Sequence, residues 1–224
     1  SNNPTSGISI GTYTGNGTAG ATVGHGLGAN PDVLIVKERG NTNSWVFSHK
    51  NLTNQSGYYM LLNTTDAQAT DNFFNNTSPT SSVFSTNSTP TNRSSGTYVF
   101  YAFKEVKGYS KFGSYTGNGN ADGTFVYTGF RPAWVMIKRT DGSNSWQIID
   151  NKRNSFNLSD KLLFPDLADA ESTSSGNAID MVSNGFKPKG TGSSTNSSSA
   201  TYIYMAFAEH PFVTEGTKAA GTAR

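Results

Sequence analysis

The chain has 224 residues, enough for one large domain or two of about 100 residues each. Only 34% of residues are hydrophobic and 14% charged, with a net charge of +2, and Lys and Arg form no stripe, which excludes the basic footprint of a nucleic-acid binder. There are no cysteines, which excludes disulfides, thiolate metal sites and a cysteine nucleophile, and no stretch nears the roughly 20 apolar residues of a membrane-spanning helix. Aromatics at 12% point to small aromatic and β-branched cores under a surface of Ser, Thr, Asn and Gly. The missing cysteines also favour folding in a reducing cytoplasm.

In chain order, Ser1-Asn2-Asn3-Pro4 opens without an initiator Met or signal peptide, as a processed start or a segment of a longer protein would. The phrase Gly11-Thr-Tyr-Thr-Gly-Asn-Gly17 ends in residues suited to a tight reversal. It lacks the Lys-Ser/Thr ending of a phosphate loop and the strand–helix context of a dinucleotide fingerprint. His25, within Gly24-His-Gly-Leu-Gly28, reads as a turn residue. Val33-Leu-Ile-Val36 is a continuous apolar run, the pattern of a strand buried on both faces. Lys37-Glu38-Arg39, like Lys138-Arg139 later, reads as a solvated strand face. Strands follow at Trp45-Val-Phe47, Tyr58 to Leu62 and Val83-Phe84, then the aromatic-rich Tyr98 to Phe103. Asn75 to Arg93 is a long Ser/Thr/Asn-rich loop, and Val106 to Phe112 is a junction with little Pro or Ser.

About a hundred residues on, the chain repeats itself. Gly113-Ser-Tyr-Thr-Gly-Asn-Gly119 answers the first phrase, and Arg131-Pro-Ala-Trp-Val-Met-Ile-Lys138 answers Asn30 to Lys37. Asn144-Ser-Trp146 answers Asn43-Ser-Trp45, and Ala200 to Phe207 answers Gly96 to Phe103. Four blocks in one order at nearly constant spacing are a duplication. The second half adds strands at Phe125-Val-Tyr127, Trp146 to Ile149 and Met181-Val182, with turns at Asp141-Gly142, Asn184-Gly185 and Gly190-Thr-Gly192. Helical patterning is confined to one or two turns at Asp166 to Glu171, after Pro165. Lys189 to Ala200 is a loop matching the long loop of the first half, and long loops are where binding usually sits.

The predicted fold is therefore all-β, with two tandem β-sandwich (jelly-roll-like) repeats of six to eight short strands each. The repeats span 1–107 and 108–213, packed together rather than flexibly strung, with a C-terminal tail over 214–224.

No catalytic, cofactor-binding or metal-binding residue emerges. His25, His49 and His210 have no partner at ligand spacing, and no Gly-x-Ser-x-Gly elbow supports a serine triad. Asp141 with Asp150, and Asp166 with Asp169 and Glu171, are the local carboxylate groups for glycan hydrolysis. Gly40 and His49 stand opposite Asp141 and Asp150 in the first half, so such a site would exist once only. The same acids lack the spacing of a calcium loop. Trp45 and Trp146 could stack on sugars, but each is flanked by apolar residues and reads as core. Asn-x-Ser/Thr triplets such as Asn51-Leu-Thr53 and Asn92-Arg-Ser94 are expected by chance in so Asn-rich a chain.

The paired phrases resemble a two-repeat domain of tailed-phage virion proteins. The resemblance rests on Tyr13 to Gly17, His25 to Gly28, Pro31 to Lys37, the long block Gly108 to Gly119, Tyr204 to Glu209 and the ending Thr222-Ala-Arg224. It implies a non-catalytic particle-surface role, as tail fibre, adsorption protein or head decoration, synthesised in the host cytoplasm. Implied partners are other virion proteins and further copies of the chain, without nucleic acid, membrane insertion or cofactor. The resemblance carries over no functional residue. An alternative on the same fold is a carbohydrate-binding module recognising a host-surface glycan; a glycan-degrading enzyme comes third.

Overall fold

The computed structural model describes residues 1–211 apart from Ser88 and Ser155, so the expected tail over 214–224 lies outside the described residues. The protein is all-β, built from several antiparallel sheets, with no α-helix among the described residues. It divides into two compact units: Ser1–Asn63 with Gln68–Glu105, and Thr64–Ala67 with Val106 onward.

In the first unit, strands β1 (Asn2–Asn3), β2 (Ile8–Thr14), β4 (Val33–Glu38), β5 (Val46–His49), β6 (Tyr58–Leu61), β7 (Ala69–Thr70) and β9 (Thr97–Phe103) form one sheet. Its order is β1-β2-β9-β4-β5-β6-β7. A separate pair, β3 (Ala21–Gly24) with β8 (Val83–Thr86), supplies Val23 and Phe84 to the same core. Strand side chains alternate between faces. Tyr98, Phe100 and Ala102 of β9 and Leu34 and Val36 of β4 therefore reach one core together. Val33 and Ile35, on the opposite face of β4, are buried as well, so the run is covered on both faces as its pattern predicted. Each such large apolar side chain contributes about 1.5–3 kcal/mol on burial.

In the second unit, β10 (Ser110–Thr116), β18 (Thr201–Ala208), β12 (Pro132–Arg139) and β13 (Gln147–Asp150) form a four-stranded sheet in that order. A three-stranded sheet runs β11 (Val126–Tyr127), β17 (Gly185–Pro188), β16 (Ile179–Val182). One core, with a sandwich-like layering, joins Ile137, Tyr202 and Tyr204 of the larger sheet to Val126, Met181 and Phe186 of the smaller. A last pair links β14 (Lys161–Leu162) and β15 (Ser172–Thr173). The strand order β10-β18-β12-β13 corresponds to β2-β9-β4-β5, and the registers correspond too. Tyr13 lies opposite Tyr98 as Tyr115 lies opposite Tyr202, and Lys37 opposite Val99 as Lys138 opposite Ile203.

Four expectations need correction. Asp166 to Glu171 is not helical: the Asp166 carboxylate accepts the backbone N–H of Trp146, which ties this segment to the edge of β13 in place of a helical turn. The one helical turn among the described residues is a 3₁₀ turn at Ser175–Asn177. The long loop Asn75 to Arg93 is interrupted by β8, and the junction is shorter than expected because Ser110 to Phe112 already belong to β10. The charged strand ends are solvated only in part: Arg39 is exposed and Lys37 and Arg139 are half-buried, but Glu38 and Lys138 are fully buried.

Candidate binding surface

The duplicated Tyr-Thr-Gly-Asn-Gly phrase builds the same clasp in each unit. Tyr13 stacks on Tyr98 at 4.8 Å and donates its hydroxyl to the Thr91 carbonyl at 2.6 Å. Tyr115 stacks on Tyr202 at 5.0 Å and donates to the Thr195 carbonyl at 2.6 Å. Burial raises the pKa of both Tyr13 and Tyr115, so both stay protonated donors. Beyond the tyrosine the chain turns under a buried asparagine. Asn92 accepts the Asn16 backbone N–H at 3.0 Å and donates to the Asn16 side-chain oxygen and the Thr18 carbonyl. Asn196 accepts the Asn118 N–H at 3.0 Å and donates to Asn118, the Asn120 carbonyl and the Gly190 carbonyl. The glycines are obligatory. A Cβ on Gly15 would sit 2.3 Å from the Arg93 carbonyl oxygen, and one on Gly117 2.3 Å from that of Ser197, while Gly17 and Gly119 have φ of +72° and +65°. Asn92 and Asn196 are themselves duplicated in the sequence, since Thr91-Asn-Arg-Ser-Ser95 is answered by Thr195-Asn-Ser-Ser-Ser199 just before the paired aromatic strands. Each also opens an Asn-x-Ser triplet, Asn92-Arg-Ser94 and Asn196-Ser-Ser198, whose amide the fold consumes.

The ionisable candidates are tied into the scaffold. Asp150 accepts the backbone N–H groups of Lys152 and Arg153 and pairs with the Arg153 guanidinium at 2.6 Å. Burial raises its carboxyl, but those hydrogen bonds outweigh it and hold the pKa below the ordinary range. Arg153 also reaches Glu171 at 3.4 Å, and Asp141 pairs with Arg139 at 2.7 Å. Asp166 and Asn63 play one part in the two units, accepting the backbone N–H of Trp146 and of Trp45 respectively. Asp169 is exposed. His25 is buried, accepts the Leu27 N–H on Nδ1 and so donates from Nε2 to the Thr80 carbonyl, a turn role; burial pulls its pKa down. His49 is buried within β5 and His210 is exposed. Among the described residues no group of three or more His, Asp or Glu side chains is placed to hold a metal ion.

Lys138 is the unexpected charge. Its ammonium donates to the carbonyls of Arg139 and Thr65 at 2.9 and 3.1 Å. Burial lowers its pKa to about 8, against the opposing pull of Asp166 and Asp66.

The tryptophans divide. Trp146 is 1% exposed and is core, as expected; Trp45 is only half-buried, stacked on Tyr101 at 6.3 Å, which corrects the expectation for that position. The aromatic side chains open to solvent lie elsewhere: Phe156, 84% exposed, in the segment between β13 and β14, and a pair on the outer face of the three-stranded sheet. Val126 turns into the core, so its neighbours Phe125 (47% exposed) and Tyr127 (63%) project outward. Tyr127 lies opposite Gly185, where a Cβ would strike the Val126 carbonyl oxygen at 2.1 Å and meet the Phe125 ring at 3.0 Å, so the Phe125 ring lies against the glycine. Lys187, one register step away, pairs with Asp122 at 2.5 Å. The sequence pattern places a strand here but does not say which of its faces is wet.

The whole described chain, residues 1–211, matches the family model described as a domain of unknown function (DUF7483). The chain belongs to this family. No curated protein and no solved structure matches it. The family match spans both clasps and the aromatic outer face.

Proposed function

We propose that this DUF7483 chain is a non-catalytic structural protein of a tailed-phage virion, displayed on the particle surface as a tail-fibre, adsorption or head-decoration component. In this reading it comprises two tandem β-sandwich (jelly-roll-like) repeats and works beside other virion proteins and copies of itself. The observation that carries the reading is the twin clasp: both units spend their most distinctive residues on locking a loop with fully paired buried amides. Such residues serve permanence rather than turnover. The phrases that form the clasp also carry the resemblance to phage virion proteins. Among the carboxylates considered for hydrolysis, Asp141 and Asp150 pair with arginines and Asp166 accepts a backbone N–H, which supports the non-catalytic reading.

Mass spectrometry of purified particles tests the assignment: the chain should be present at a stoichiometry that is a multiple of a symmetry number. Its absence from particles, with abundant free monomer in the host, would overturn it. An experimental structure should superpose the units with Tyr98 on Tyr202; halves that fail to superpose would remove the tandem-repeat reading. A second reading, a carbohydrate-binding module, is favoured by one observation, the exposed pair Phe125 and Tyr127.

A further inference from the structure

The duplication allows each outward residue of the small sheet to be compared with its counterpart in the first unit. The pairing Val126 with Phe186 corresponds to Val23 with Phe84, each pair directed into its unit's core. Phe125 and Tyr127 then occupy the positions of Thr22 and Gly24, and Gly185 and Lys187 those of Val83 and Ser85. The fold thus accommodates small or polar residues at both aromatic positions; the Phe125 ring lies against Gly185, and neither ring enters the core. They remain exposed, with an enforced glycine beside one of them.

We propose that Phe125 and Tyr127 form a stacking platform for the pyranose rings of a neutral glycan. This deepens the reading of the chain as a surface protein and rests on it. Three features select this occupant. First, the two residues flank the core residue Val126, about 7 Å apart along the chain, and both open to solvent. Second, Lys187 and Lys189 stand against Asp122 and, across the strand pair, Asp180, so the two cations and two carboxylates offer donors and acceptors but no net charge to attract an acidic chain. Lys187 beside Asp122 holds that carboxyl below its ordinary range, so it stays an acceptor for hydroxyls. Third, two half-exposed rings offer on the order of 200–300 Å², well short of the roughly 800 Å² per partner of a stable protein interface. One or two sugar rings fit that area.

The test uses the full chain and four neutral probes: chitotetraose, cellotetraose, maltotetraose and mannotetraose. Saturation-transfer NMR should show contact to the ring C–H faces of at least one probe, and calorimetry should give its affinity. Replacing the platform by its first-unit counterpart, Phe125→Thr with Tyr127→Gly, should weaken binding by about a hundredfold, and either change alone by about tenfold. Tyr127→Phe should keep most of the affinity. The unfolding midpoint of Phe125→Thr should stay within about 4 °C of the parent, because the counterpart carries Thr. Raising salt from about 50 to about 500 mM should leave affinity unchanged. No binding of any probe, binding untouched by these changes, or binding that collapses with salt would each overturn the proposal. So would an oligomer that Phe125→Thr with Tyr127→Gly converts to monomer, since a second copy would then cover the face. The assay needs no particle, so absence of the protein from virions would remove the virion reading without altering this result.

Discussion

Asn196 illustrates how much one side chain can hold. Its fully buried amide satisfies one backbone N–H, two backbone carbonyls and one side-chain oxygen. Replacing it by Ala leaves those groups without partners, so Asn196→Ala should lose about 2–4 kcal/mol in urea unfolding, and Asn92→Ala a comparable amount. Asn196→Asp should do no better, because a carboxylate would face the carbonyls to which the amide donates. Lys138 gives a prediction with a sign. Its folded pKa, about 8, lies below the ordinary 10.5, so the unfolded chain binds the proton more tightly. Its contribution is most favourable above pH 10.5 and is lost as pH falls toward 8. Measured against Lys138→Met, which does not titrate, wild-type stability should climb between those values and be flat below them. His25 behaves alike at lower pH: its folded pKa is also depressed, so stability relative to His25→Thr should decline as pH drops below about 6.5.

Among the elements, β9 and β18 are the spines of their sheets, each hydrogen-bonded on both sides along most of its length. Their amides should exchange slowest with deuterium, whereas the two-residue strands β7, β14 and β15 should exchange fastest. Fast exchange in β18 with protection in β14 would contradict that order of stability. These spines were also the parts most legible in the sequence, because runs such as Tyr98 to Phe103 and Tyr202 to Phe207 announce themselves by aromatic and β-branched content. The two-residue strands β7, β14 and β15 carry no such pattern. The pair β16–β17 was half legible: Asn184-Gly185 marked its turn, but Gly185 to Pro188 did not read as a strand. Buried Glu38 and Lys138 escaped for a different reason. A charge in a strand reads as solvated, and only three-dimensional pairing, with Arg93 and Asn43 for Glu38 and with carbonyls for Lys138, shows otherwise. Of the binding surface, the strand at Phe125 to Tyr127 was legible but its wet face was not, since alternation alone does not say which side the core takes.

At the scale of the whole molecule, the duplication is not a plain concatenation. The second unit includes Thr64–Ala67, whose Thr65 carbonyl accepts both the Asn144 N–H and the Lys138 ammonium. A fragment beginning at Val106 therefore lacks a partner for a fully buried ammonium. Such a fragment should unfold at a lower temperature than the second unit in the intact chain, and Lys138→Met should recover part of the difference. An unaltered midpoint in the fragment would show that the tetrapeptide is dispensable. The duplicated units have meanwhile diverged where the scaffold permits: Glu38 and Arg139 share one register position with opposite charge, each with its own counter-ion.

The twin clasp also bears on chemical ageing. Asparagine before glycine is the pair most prone to lose its amide, because the next backbone nitrogen attacks the side-chain carbonyl. In Asn16-Gly17 and Asn118-Gly119 that nitrogen is engaged, donating to the Asn92 and Asn196 carbonyls at 3.0 Å, and the side-chain oxygen is held by the neighbouring amide. Asn184, by contrast, is exposed in the hairpin turn that leads into Gly185. Peptide mapping of protein stored warm for weeks should find deamidation at Asn184 well before Asn16 or Asn118. The lock that shapes each loop thereby also slows its molecular clock, which suits a protein that must last without being replaced.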